Sequence, residues 1–161
     1  MRLWRLTAWP SKGRAFDGLA SARSPGRWNQ RGRPTVYAAS SVALAVLEIV
    51  VQSGSAPLLG YHAYPIDVPD GLIVRFDRTR LSPAWRSVAG RDECRVFGEA
   101  WRSEAAHSLG LMVPSAVIPE AYTAGDWCVV LDRTHGRWSE AAIGEPIALD
   151  LDQRIVALLG R

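Results

Sequence analysis

The stretch Gly26–Glu48, GRWNQRGRPTVYAASSVALAVLE, changes character twice, and its reading decides the fold. Gly26 to Pro34 is a turn rich in glycine and arginine. Thr35 to Ala38 reads as a short strand, after which the chain enters a helix through Ser40 or Ser41. Ser41 suits the N-cap, because its hydroxyl can accept from backbone N–H groups that the first turn leaves free, and Gly54 suits the stop. Between them, SVALAVLEIVVQS is apolar on nearly every face. Only Ser41, Ala45, Glu48 and Gln52 align as a narrow polar stripe, so the helix is expected to be buried on most sides and to open on one. Glu48 is its only charge. The stripe either faces water, as most glutamates do, or faces a cleft. In a cleft the carboxylate needs a cation or strong donors, and Arg27 and Tyr37 are the local candidates.

With 161 residues, 48% of them hydrophobic, the chain fits one domain spanning its whole length with a substantial core. The net charge of +3 suits an anionic substrate or nucleic acid and demands neither. Lys12 is the only lysine, so the positive charge is almost all arginine. Arginine offers a planar fork for phosphate, although an arginine-rich codon bias gives the same count. Cys94 and Cys128 stand far apart without a second pair, which argues against a disulfide framework and against a metal site. The N-terminal MRLWRLTAWPSKGR lacks the apolar core of a signal peptide, and the apolar run Val42 to Val51 is too short to span a bilayer. A cytoplasmic location without membrane contact is expected.

Elsewhere, Leu3 to Leu6 reads as a strand that points Trp4 and Arg5 to opposite faces. Pro10 to Pro25 has no periodicity and reads as an ordered loop. Its Arg14 and Arg23, with Arg27, Arg31 and Arg33, form either a solvated face or an anion cradle. After a turn at Pro57, Leu58 to Val68 is a strand that Pro65 places at an edge or bulge. Leu72 to Phe76 is another short strand. Arg91 to Ser108 is an amphipathic helix with Cys94, Phe97, Trp101 and Ala105 on its core face and Gly110 ending it. Leu111 to Pro119 is a strand that Pro114 marks as an edge or bulge, with Ser115 presented there. Asp126 to Leu131 suits a central strand, Asp132 to His135 a polar turn, and Pro146 to Leu151 a last strand. No phosphate loop or dinucleotide fingerprint is present. This order describes a mixed α+β domain.

Taken together, Arg27, Glu48 and Ser115 carry a resemblance to the RES-domain family, the toxin half of bacterial toxin–antitoxin pairs. The matching pieces are LWRL, GRWNQRG followed by VYAASSVALAVLE, then FGEAWR, VPSAVIPE and IALDLDQRI, from Arg5 to Ile155. One departure is that Leu131-Asp132-Arg133-Thr134-His135 stands where the family commonly has Leu-Asn-Pro-x-His. The resemblance implies an ADP-ribosyltransferase-like fold, with a largely antiparallel mixed sheet and flanking helices. It also implies cleavage of NAD at the nicotinamide–ribose bond, with ADP-ribose passing to water, phosphate or a protein.

In that reading NAD is a substrate and no prosthetic group is expected. Glu48 would stabilise the ribosyl cation. Arg27, with Arg5 as a second candidate, would hold the diphosphate, and Tyr37 would hold the ribose or pack on a ring. Ser115 would donate to a phosphate or to Glu48, and Trp28 and Asn29 join the NAD-binding set through the GRWN motif. A helix-turn-helix antitoxin is the implied partner, and nucleic acid would be reached only through it. A homodimer stays open. The alternatives are a ribonuclease toxin, for which the three histidines are scattered, a nucleic-acid-binding module using the arginines and tryptophans, and a catalytically degenerate toxin that only binds its antitoxin.

Overall fold

The structure, a computed structural model, describes residues 1–53, 58–104, 106–118 and 125–159. The expected features at Gly54, Pro57, Ala105 and Pro119 lie outside these residues. Along the chain run β1 (Arg2–Thr7), α1 (Lys12–Ala15), α2 (Leu19–Arg23), β2 (Thr35–Ala39), α3 (Val42–Ser53), β3 (His62–Asp67) and β4 (Ile73–Arg75). They are followed by α4 (Arg91–Glu104), β5 (Gly110–Val113), β6 (Cys128–Asp132), β7 (Ala142–Ile143), β8 (Ile147–Ala148) and α5 (Gln153–Leu159). The strands form one sheet in the order β4-β5-β6-β2-β1-β3-β7, with β8 also paired to β3. Among the described residues only β4 and β5 run parallel; the other pairings are antiparallel. The fold is therefore mixed α+β with a largely antiparallel sheet.

Alternation along the central strands sorts the core into two faces. Leu3, Val36, Ala38, Tyr64, Ile66, Val129 and Leu131 point to one face and pack with Ala15 and Phe16 at the end of α1. The opposite face is shared by two helices. Leu111, Val113 and Val130 meet Cys94 and Trp101 of α4, whereas Leu6, Ala39 and Ala63 meet Leu44 and Ala45 of α3. Cys128 packs against both clusters and so marks the seam between α3 and α4.

Several expectations change for identifiable reasons. The segment Pro10 to Pro25, read as a loop, contains two short helices, α1 and α2, each too brief to show a period. β3 is not an edge strand, since β1 lies on one side and β7 and β8 on the other. The Pro65 carbonyl accepts from Gly144 at the break between β7 and β8. Backbone N–H and C=O of one strand residue point the same way, so the missing donor of Pro65 falls in that break. β5 is likewise interior, between β4 and β6, and it stops at Val113, so Pro114 ends the strand rather than marking an edge. α4 stops at Glu104, and Gly110 opens β5 instead of closing the helix.

Helix α3 starts as expected, with Leu44 N–H donating to Ser41 Oγ at 3.2 Å, but its orientation differs. Leu47 is 41% and Val51 64% exposed, while Ala45 of the polar stripe is 6% exposed. Part of the apolar surface therefore faces outward, and the stripe around Glu48 turns toward the seam. Among the described residues, no helix is long and apolar enough to cross a membrane.

Candidate active site

Glu48 reaches the seam from the middle of α3, and its Oε1 has two donors. Ser115 Oγ donates at 2.6 Å and Cys128 Sγ at 3.2 Å. Ser115 in turn accepts from the N–H groups of Val117 at 3.0 Å and Ile118 at 3.2 Å. Its hydroxyl thus has its single proton committed to Glu48 and its lone pairs committed to its own turn. Ser115 stands just beyond the end of β5, where Val113 is paired with Cys128. The end of one strand and the start of its neighbour therefore converge on one carboxylate oxygen. No protein donor lies on Glu48 Oε2 among the described residues, and this oxygen is not sealed in the interior. Burial pushes the Cys128 thiol well above its ordinary pKa, and the adjoining Glu48 charge pushes it further, so Cys128 acts here as a neutral donor.

Tyr37 belongs to a second, adjoining arrangement. Its ring lies on the same sheet face as Cys128, because Tyr37 pairs with Val130 and Ala39 with Cys128. The hydroxyl donates to Asn29 Oδ1 at 2.8 Å and accepts from Trp28 N–H at 3.0 Å. Asn29 Oδ1 also accepts from Gly26 N–H at 2.9 Å, and its amide nitrogen donates to Ser21 O and Gln30 O. A side chain at Gly26 would collide with the Tyr37 hydroxyl, so glycine is required by this close approach. Burial drives the Tyr37 pKa upward, against the pull of the Trp28 N–H and of Arg102 and Arg95. The phenol hydroxyl is a structural clasp, and the ring packs against the cluster that holds Trp28 and Val130.

Trp28 and Asn29 serve the same clasp. Trp28 is 3% exposed and meets Phe76 edge-on at 5.1 Å, and Asn29 is fully buried. Both shape the turn from within, so neither side chain is placed to touch a ligand.

Arg27 turns toward the loop that precedes α4. Its guanidinium donates to the carbonyls of Trp85, Ser87 and Arg86. Neither Arg27 nor Tyr37 is a donor to Glu48; Ser115 and Cys128 have that role. Arg5 is further removed. In register with Tyr64 and close to the ring of Phe16, it lies on the sheet face opposite the Tyr37 ring and Cys128. It donates to the carbonyls of Ala15 and Tyr37, and burial lowers its pKa to about 10 although Asp17 opposes the shift.

The departure at Asp132 and Arg133 leaves an ordered turn. Asp132 Oδ1 accepts from the N–H and hydroxyl of Thr134, and Oδ2 pairs with Arg102 at 2.7 Å. His135 bridges to Ala106 O and accepts from Arg137 N–H. Asp132 thereby supplies the turn chemistry that its position calls for.

Sequence reasoning missed Cys128. Its proximity to Glu48 depends on strand pairing between distant segments, and an isolated cysteine gives no local signal.

Residues 2–152 match the model of the RES domain. The chain belongs to the RES-domain family. It is 38% identical over 120 residues to a protein named Toxin Res from Photorhabdus laumondii, covering 74% of this chain and 76% of that protein. It is 36% identical over 124 residues to a Sphingobium protein named Prs ADP-ribosylating toxin, covering 73% and 76%. The fold matches a chain of the crystal structure of the M. tuberculosis MbcT-MbcA toxin–antitoxin complex with a TM-score of 0.70. That match covers 99% of this chain and 88% of the other at 21% identity, and shows a shared fold. Within this RES chain Ser115 touches Glu48, whereas Arg27 holds the loop beside α4.

Proposed function

We propose that this RES protein is the toxin of a toxin–antitoxin pair and cleaves NAD at the bond between nicotinamide and ribose. One observation carries the reading. Glu48 is fixed through one oxygen by Ser115 and Cys128, while its other oxygen has no protein donor among the described residues. Breaking the glycosidic bond expels nicotinamide as a neutral molecule, since the pyridinium nitrogen takes the bonding electrons. The positive charge stays on the ribosyl carbon. A carboxylate held beside that carbon stabilises the developing cation without any change in its own protonation, and the leaving group needs no acid. Water, phosphate or a protein side chain then forms the new bond at that carbon and gives up its proton.

Charge development makes Glu48 the largest contributor. Two unit charges about 4 Å apart attract by ~4 kcal/mol at an effective dielectric of about 20. At 1.36 kcal/mol per factor of ten, that is about a thousandfold in rate. Ser115 and Cys128 contribute by orientation, and the Tyr37 ring offers a packing surface for a base or the nicotinamide. Arg27 would reach a diphosphate only by giving up some of its carbonyl contacts on residues 85–87, so its contribution is through that loop as much as through charge.

The relatives named Toxin Res and ADP-ribosylating toxin support the same class of activity. An antitoxin of helix-turn-helix type and a cytoplasmic location accompany the reading. The acceptor is tested by incubating the purified chain with NAD in buffer alone, with inorganic phosphate, and with cell protein. Chromatography of the products is expected to give nicotinamide with ADP-ribose, ADP-ribose 1-phosphate or ADP-ribosylated protein. NAD left intact in all three incubations would contradict the reading.

A further inference from the structure

We infer that Arg86 is a positioning residue for the candidate site, an inference that rests on the NAD reading for its catalytic part. Its guanidinium donates to Ala116 O at 3.0 Å and Val117 O at 3.3 Å. These carbonyls follow Ser115 directly, and the N–H groups of Val117 and Ile118 close the same turn on Ser115 Oγ. Arg86 thus holds the turn from outside, Ser115 gathers it from inside, and the Ser115 hydroxyl donates its hydrogen bond to Glu48. The backbone that carries Arg86 is itself held, because Arg27 donates to the carbonyls of Trp85, Arg86 and Ser87. Two arginines in series, each grasping a loop through its carbonyls, connect the Gly26 turn to the Glu48 carboxylate.

The geometry has a physical rationale. Ser115 lies beyond the last ladder bond of β5 and directly after Pro114, so the sheet does not fix its position. A forked donor spanning two successive carbonyls restrains both the place and the orientation of the turn, which a single point charge cannot do. Ala116 and Ile118 pack into the two clusters that Cys128 joins. Displacing the turn would therefore uncover Cys128 as well as misplace the Ser115 hydroxyl.

The test uses Arg86→Ala and Arg86→Lys in the full chain, with Arg91→Ala as a control for losing one exposed positive charge. Two readouts are taken: the rate at which iodoacetamide labels Cys128, resolved from Cys94 by peptide mass, and kcat and KM for nicotinamide release. In Arg86→Ala, Cys128 labelling is expected to rise severalfold and kcat to fall about tenfold with little change in KM. Arg86→Lys should lie between that variant and the parent, and Arg91→Ala should match the parent. Unchanged Cys128 labelling would overturn the inference, as would unchanged kcat in Arg86→Ala when the parent is active. A rise confined to KM and fully restored by lysine would also overturn it, by making Arg86 a simple charge. If the parent released no nicotinamide, the NAD reading would fail separately, and the labelling rates alone would decide whether Arg86 holds the turn.

Discussion

The hydroxyl of Ser115 lies 2.6 Å from Oε1 of Glu48, although the two residues are 67 positions apart and on different kinds of element. That contact converts a carboxylate on a helix into one fixed relative to the sheet, because Ser115 follows β5 and Cys128, the second donor, begins β6. Orientation of Glu48 is thus set by long-range pairing, and several consequences can be measured.

Ser115→Ala removes one donor to Glu48 and leaves two N–H groups, of Val117 and Ile118, without their acceptor. A hydrogen bond to a charged group contributes about 1.5–3 kcal/mol. The kcat for nicotinamide release is expected to fall roughly 10–100-fold, with KM changing much less. Steady-state kinetics with NAD checks this, and an unchanged kcat would show that Ser115 has no part in orienting Glu48.

Tyr37→Phe separates the clasp from the ring. The substitution keeps the aromatic face but strands the Trp28 N–H and removes a donor to Asn29. Losing a buried partner costs about 1–3 kcal/mol, so the midpoint of thermal unfolding should drop by several degrees. The affinity for NAD, measured by titration at a temperature where both proteins are folded, should stay within about twofold. A large loss of affinity at unchanged stability would give the hydroxyl a direct role in binding.

Asp132 supplies a pH dependence. Burial raises its carboxyl pKa, but the Thr134 hydroxyl, the Arg102 charge and the Thr134 N–H outweigh this and bring it below the ordinary carboxylate value. A depressed pKa contributes stability above the unfolded value, about 3.9, and loses it as pH falls through the folded value. Asp132→Asn leaves Arg102, only 7% exposed, without its closest anionic partner, at a cost of about 3 kcal/mol near neutral pH. The stability difference between parent and variant should narrow below about pH 4. Denaturant titrations across that range check the sign, and a gap that widened toward acid would contradict it.

Gly98→Ala tests the packing beneath the Gly26 turn. A β-carbon at Gly98 would run into the carbonyl oxygen of Trp28, so α4 and the turn cannot both keep their places. Overpacking of this kind costs about 1–3 kcal/mol. Because the displaced turn also carries Arg27, whose guanidinium holds the loop at residues 85–87, the change should also raise KM for NAD. Unfolding curves with kinetics on the same preparation would reveal it, and parent-like values in both would show that the contact is slack.

What was legible in the sequence was local. Ser41 caps α3 because an N-cap serine acts within three residues, and the strand from Thr35 is legible as a short run between the Gly26 turn and Ser40, although β2 is covered on both faces and so does not alternate. The outward turn of Leu47 and Val51 was not legible, since an almost wholly apolar helix gives no direction to its buried side. The two prolines misled for one reason: Pro65 and Pro114 exclude a ladder donor, but whether that makes an edge, a gap or an end depends on neighbouring strands. The motif residues were visible while their contacts were not. Arg27 reads as a phosphate fork, and its guanidinium rests on three carbonyls more than 50 positions away. Arg86 had no signal beyond being one more arginine.

The proposed role of Glu48 in NAD cleavage is decided by comparing nicotinamide release by the parent with that by Glu48→Gln. The amide keeps the size of the side chain and can still accept from Ser115, so the variant should fold with parent-like circular dichroism. Release is expected to fall about a thousandfold, the loss that follows from removing a unit charge about 4 Å from a developing cation. A folded Glu48→Gln protein that releases nicotinamide as fast as the parent would contradict that role.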